Sequence, residues 1–145
     1  MAIWQYEPML VPRGGPAVRG TWGEVHWRNQ PEVTVESLAG QLPAEAKSWS
    51  PRLRIWGDPE TDSLTAISSA SGRLEVIKAT IDARQPNSQF ISTLCSVATA
   101  LNAVFLDRDE REIEPIPSLL RDALNTSRAM RFVLRGATLP HSRNN

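Results

Sequence analysis

Hydrophobic and polar residues change period twice between Arg73 and Asp107. From Leu74 to Ala83 they alternate. Ile77, Ala79, Ile81 and Ala83 fall on one face and Lys78, Thr80 and Asp82 on the other, the mark of a half-buried strand. Gln85-Pro86-Asn87-Ser88 ends the extended run, and Asn87 or Ser88 can cap a helix by accepting an unpaired backbone N–H. Phe90, Ile91, Leu94, Cys95, Val97, Ala98 and Leu101 then recur at three- and four-residue steps, which predicts a helix over about 88–102 stopped at Asn102. The other side of that helix, Ser92, Ser96, Thr99 and Ala100 with Ala103 beyond, carries no charge and suits close packing by another helix or a partner.

The same reading extends outward. Arg52–Trp56 alternates, Gly57-Asp58-Pro59-Glu60-Thr61-Asp62 forms a turn, and Ser63–Ala70 is a weak strand. With a two-residue connection at Ser71-Gly72, residues 52–84 form an antiparallel meander. Ile3–Glu7 gives a short strand that Pro8 and Pro12 interrupt, and two more short strands fit within about 103–114. Thr34 can cap a short helix through Leu42. A last helix over about 117–134 begins at Pro117, with Leu119, Leu120, Ala123, Leu124, Ser127 and Met130 as its inner stripe. The expectation is an α+β fold with the helices packed on one face of the meander.

At 145 residues the chain fits a single globular domain over 1–145, with a polar tail at about 138–145. Sixteen basic and sixteen acidic residues cancel, so no global field gathers nucleic acid or an anionic membrane, and neither is expected as a partner. Residues 115–145 nevertheless hold five arginines against Asp122, so the tail end is basic and the body mildly acidic. Arg121, Arg128, Arg131 and Arg135 share one flank of a continuous last helix, either as a solvated face or as a dock for an acidic partner. The N-terminus lacks a basic leader followed by an apolar stretch, and the uncharged helix is too short and polar to span a bilayer, which points to the cytoplasm.

Chemistry is sparse. Gly15 and Gly20 have phosphate-loop spacing, but Thr21 stands where the phosphate-neutralising lysine belongs. Asp58, Glu60 and Asp62 imitate the start of a calcium loop, but Ser63 and Ser69 replace its required glycine and bidentate glutamate. Cys95 is single and lies on an apolar stripe, the place of a small core residue, and neither His26 nor His141 belongs to a spaced metal motif. No catalytic residue, metal or cofactor is therefore expected, leaving one enzymatic alternative, a site assembled in space around His26 with Glu24 or Asp82.

Five tryptophans, at 4, 22, 27, 49 and 56, are heavy use for this length. Two readings stand: plugs for a small core under proline-rich loops, or an aromatic face with arginine neighbours, the composition of binding hot spots. Under the second reading, Trp22, Trp27, Arg28, Arg54 and Trp56 are the residues expected to bind a partner.

The stretches TWGEVHW, LRIWGD, IDAR, LCSVATALNAVFLD and SLLRDALNTSRAMRFV, taken in order, resemble small bacterial proteins encoded beside polymorphic or type VI secreted toxins as candidate immunity proteins. The resemblance covers most of the chain as order and pattern and transfers no functional residue. It implies a non-enzymatic protein that binds one cognate toxin and occludes its active site. A toxin acting in the cytoplasm, such as a nuclease or an NAD-consuming enzyme, would then be the partner. A homodimer through the small-residue helix face and a secretion chaperone or adaptor with an extended apolar groove are the other readings.

Overall fold

The computed structural model describes residues 2–14, 18–21 and 23–138. Trp22, His141, the middle of the Arg13–Gly20 loop and the tail from 139 onward lie outside the described residues.

The meander is built as its alternation requires. Strands β6 (Leu53–Gly57), β7 (Ser63–Ser68) and β8 (Leu74–Asp82) pair antiparallel in sequence order. Gly57 has φ +103°, and a Cβ there would stand 2.3 Å from the Asp62 carbonyl, so only glycine closes the β6–β7 turn without strain. The β7–β8 connection is longer than two residues. A register shift at Ile67/Ser68 ends β7 early, and the loop closes through Ser69 N–H to the Arg73 carbonyl.

The N-terminal strand does not stop at Pro8 as expected but resumes beyond it. β1 (Gln5–Tyr6) and β2 (Met9–Pro12) run along β8 in one unbroken register, Tyr6 opposite Ile81 and Met9 opposite Lys78. Pro8 has no N–H to give, but its carbonyl still accepts from Ala79 at 2.9 Å, so one missing donor does not end the pairing. β2 continues between β8 and β9 (Ala103–Leu106), and β10 (Glu112–Ile113) lies beyond β9. The result is an eight-stranded antiparallel sheet, ordered β10-β9-β2-β8-β7-β6-β5 with β1 beside β8, where β5 is Glu45–Ala46. Both edge strands are two residues long and carry Glu112 or Glu45, which discourages strand addition.

Helix α1 (Ser88–Ala100) connects β8 to β9. Asn87 Oδ1 caps it, accepting from Gln89 and Phe90 N–H at 3.0 and 3.1 Å, and Asn102 follows in the left-handed region at φ 53°. Its apolar stripe is buried as the spacing predicts. The packing by another helix expected on its small-residue face does not occur among the described residues, where Ser92, Ser96, Thr99 and Ala100 are exposed.

The expected last helix is two helices, α2 (Pro117–Asn125) and α3 (Arg128–Thr138). Ser127 divides them, because its hydroxyl donates to the Leu124 carbonyl at 2.6 Å and accepts from Met130 N–H at 3.1 Å. This separates Arg121, bonded to Ser88 Oγ, from the arginines of α3, so no single basic flank forms. The short helix capped by Thr34 is a 3-10 turn, Glu36–Gln41, with Thr34 Oγ1 accepting from Ser37 N–H.

All helices lie on one face of the sheet, over Leu10, Leu64, Ala66, Ile77, Ala79, Ile81 and Phe105. On the other face a hairpin of β3 (Val18–Arg19) and β4 (Val25–His26) sets Val25 against Val11 and Val104, with Met9 and Leu106 partly buried around them. Elsewhere on that face Leu53, Ile55, Thr65, Ile67 and Lys78 are half-buried or exposed, while Ser63, Val76 and Thr80 are buried. Among the described residues no helix is long and apolar enough to cross a membrane.

Candidate partner-binding surface

The expected aromatic face does not assemble. Trp56 is 1% exposed and Trp27 5%, and both belong to the main core. The Trp27 indole N–H donates to the Leu10 carbonyl at 2.9 Å, which explains how an indole is accommodated there. Neither ring has area to offer a partner. Arg54 stacks its guanidinium 5.1 Å from the Trp56 ring centroid, is bidentate to Glu45 at 2.7 and 2.8 Å, and lies 3.6 Å from Glu36. Its hydrogen bonds to Glu45 hold that carboxyl below the usual range. Arg54 therefore fastens the β5 edge. Of the named residues only Arg28 is both described and exposed.

Among the described tryptophans, the one that faces solvent is Trp49, 88% exposed. It sits at the tip of the β5–β6 hairpin, in a turn held by hydrogen bonds that converge on Ser50. Ser48 Oγ donates to the Ser50 carbonyl at 2.7 Å, Arg52 N–H to Ser50 Oγ at 3.2 Å, and Leu53 N–H to the Ser50 carbonyl at 3.1 Å. Uncovered, the side chain leaves about 200 Å² in water, worth several kcal/mol if buried at about 25 cal/mol per Å². Trp49 was the tryptophan to single out in the sequence, because Lys47-Ser48-Trp49-Ser50-Pro51 has no alternating apolar neighbour to carry it into a core. Trp56 stands in an alternating run, and Trp27 follows Val25 at two residues.

Backbone pairing brings further exposed side chains to this end of the sheet. Ile67, 36% exposed, lies opposite Leu53. Arg52 donates from Nε to the Ser68 carbonyl at 3.0 Å, and Arg73 donates to the Arg28 carbonyl at 2.7 Å. Arg28, Lys47, Arg52 and Arg73 are all exposed. Among the described residues, Glu75 is the only carboxylate within ion-pair distance of these four cations, 3.9 Å from Arg52.

One of the clefts among the described residues is open, about 320 Å³, and lies between the β3–β4 hairpin and the sheet. Its buried carboxylate, Glu7, meets Lys78 at 3.3 Å, Arg108 at 3.7 Å and Thr80 Oγ1 at 3.4 Å. His26 Nε2 lies 3.3 Å from Glu24 Oε1 above Gly20, where a Cβ would collide with both side chains. Asp82, the other acid expected near His26, is instead bidentate to Arg84. In the Asp58–Asp62 turn, two carboxylates bind backbone: Asp58 accepts from Glu60 N–H and Asp62 from Asp82 N–H. No group of three potential metal ligands occurs among the described residues. These acids are held by cations and amides of the scaffold, the arrangement of structural ion pairs.

Comparison of the chain with protein-family models, characterised proteins and solved structures returns no match.

Proposed function

We propose that the protein is a non-enzymatic binding protein of the immunity type, which holds a cognate toxin domain in the bacterial cytoplasm and occludes its active site. The observation that carries this reading is Trp49, fully wet at the tip of a pinned hairpin. A large rigid side chain in that position loses little freedom on docking and gains most of its apolar area. The half-covered strands behind it, with Leu53, Ile55 and Ile67, extend the surface toward the roughly 800 Å² per partner that a stable complex uses. Occlusion requires no reactive group of its own, consistent with ionisable side chains committed to the scaffold. A secretion chaperone calls for an extended apolar groove, whereas the clefts among the described residues are lined largely by charged and polar groups such as Glu7, Lys78 and Arg108, or Asp62 and Asp82.

Co-expression with the product of the neighbouring reading frame tests the proposal. The expected result is growth arrest by that product alone, rescue by this protein, and co-purification of the two. Arrest without rescue, and no complex, would reject it.

A further inference from the structure

We infer that the N-terminal strand is exchangeable between copies of this chain: residues 2–13 leave the sheet as one unit, and the slot they vacate takes the same segment of a second copy. β8 and β9 each pair antiparallel with β2, so they run parallel to one another, joined by α1 and held one strand apart. The strand in that gap is the first of the chain, so it can withdraw without unthreading a loop. Few side chains go with it. Among the described residues of the main core only Tyr6 and Leu10 precede Trp27, and the rest lie between Trp27 and Met130. Helix α1 buries Ile91, Leu94, Val97 and Ala98 in that same core and packs on β9, so the two halves of the sheet stay joined when the strand is out.

Withdrawal leaves polar groups unpaired along two facing edges. The Ala79 and Ala83 N–H groups lose the Pro8 and Trp4 carbonyls, at 2.9 and 3.0 Å, the Trp27 indole N–H loses the Leu10 carbonyl, and Asp107 loses the Tyr6 hydroxyl. Orphaned donors and open edges are costly, so the slot favours any segment that restores these contacts. Such a segment must run antiparallel to both edges and set a tyrosine and a leucine inward at the positions of Tyr6 and Leu10. The N-terminal segment of a second copy does so by identity of sequence, and exchanging identical contacts alters little but the path of the connection. That connection includes Gly14, where φ is +67° and glycine can take the extended backbone as readily.

The test uses the whole chain with single cysteines across the β2–β9 pairing, where Met9 lies opposite Leu106. Met9→Cys copies are mixed with Leu106→Cys copies at high concentration in urea below the unfolding midpoint, then oxidised after the urea is removed. A covalent heterodimer is expected, several-fold above the yield from Met9→Cys mixed with Ile55→Cys, whose strand does not border the slot. Buried Cys95 is common to both mixtures. Tyr6→Phe, which removes the tie to Asp107, should raise the yield of the first mixture. Carrying both Met9→Cys and Leu106→Cys in one chain shows that the pair can close, and Val11→Cys with Val104→Cys is a second pair on the same strands. In low urea the Ala79 and Ala83 amides of the unaltered protein should exchange hydrogen about tenfold or more faster than those of α1, as a sub-global opening does. Mixed copies that yield no heterodimer above the control, at a pair that closes within one chain, would overturn the exchange. Ala79 and Ala83 amides that open only together with α1 would overturn withdrawal as a unit, and the inference with it.

Discussion

Asp107→Asn should destabilise the fold by about 2–4 kcal/mol although it removes no volume. The Asp107 side chain is 2% exposed and accepts four hydrogen bonds. Oδ1 takes the backbone N–H groups of Asp109 and Arg111, both at 3.0 Å, and Oδ2 takes the Tyr6 hydroxyl at 3.0 Å and Arg111 Nε at 2.8 Å. Arg111 in turn donates to Thr126 Oγ1 at 2.6 Å and to the Ala123 carbonyl at 3.1 Å. One carboxylate thus ties β1, the β9–β10 turn and the α2–α3 junction together. Asparagine keeps an oxygen for the two amides but turns an NH₂ toward two donors. The Tyr6 hydroxyl can rotate to accept, whereas Arg111 Nε–H cannot. Losing a charge-assisted bond costs about 1.5–3 kcal/mol, and orphaning its buried partner more. Arg111 is 37% exposed, so water recovers part of that loss and the upper end is not reached. In urea the midpoint should fall by about 1–2 M with an unchanged slope. Tyr6→Phe alone should cost about 1 kcal/mol, and less in the Asp107→Asn background, giving a coupling of about 0.5–1 kcal/mol. Burial, and then the Asp107 charge, push the Tyr6 phenol far above its ordinary range, so this sole tyrosine should stay protonated until the chain unfolds in alkali. A variant within about 0.5 kcal/mol of the parent, or a strictly additive double mutant, would refute the network.

The tryptophans should divide by burial: Trp27→Ala and Trp56→Ala should each cost about 3–5 kcal/mol in urea melts, and Trp49→Ala less than about 0.5. Equal effects at all three would contradict the assigned core. Burial pushes the Cys95 thiol up to about 11, so it should resist a thiol reagent at neutral pH until denaturant is added; rapid labelling of the native protein would be inconsistent with its place on α1. Asp82 and Asp62 should act on stability in opposite senses. Hydrogen bonds from Arg84 hold Asp82 below the usual carboxyl range, so its contribution is complete above the ordinary value of about 3.9 and is lost as pH falls through its lower folded-state value. Burial raises Asp62, aided by the Asp82 charge, so Asp62 opposes folding above its folded-state value and the opposition is relieved as pH falls through it. Asp62→Asn keeps the oxygen that accepts Asp82 N–H and should be at least as stable as the parent at neutral pH; a clear loss in a thermal melt there would show that the charge is needed.

Periodicity was a good guide where local and tertiary demands agree. The alternation of Leu74–Asp82 and the stripe from Phe90 to Leu101 correspond to β8 and α1, and the turn at Gly57–Asp62 lies where its composition suggests. It failed where one residue serves two patterns. Pro8 and Pro12 argue for an edge, but a proline whose carbonyl still pairs is tolerated inside a sheet, so the centrality of Met9–Pro12 depends on its partners. Ser127 falls in phase with the inner stripe of the last helix, and only its bonds to Leu124 and Met130 reveal the break. The candidate surface was legible as chemistry but not as position. Tryptophan with arginine was the composition sought, yet Trp27 and Trp56 are drawn inward to the core. Arg28 joins Arg52 and Arg73 through pairings between distant segments, which no local pattern encodes.

Hydrogen exchange of the protein alone and mixed with the proposed partner is the most direct test of the proposed docking surface. Slowed exchange on complex formation is expected in the β5–β6 hairpin around Trp49, in the Ile67–Arg73 connection and near Arg28. Protection confined to the exposed face of α1, or to the cleft around Glu7 and Glu24, with the Trp49 hairpin unchanged, would contradict it.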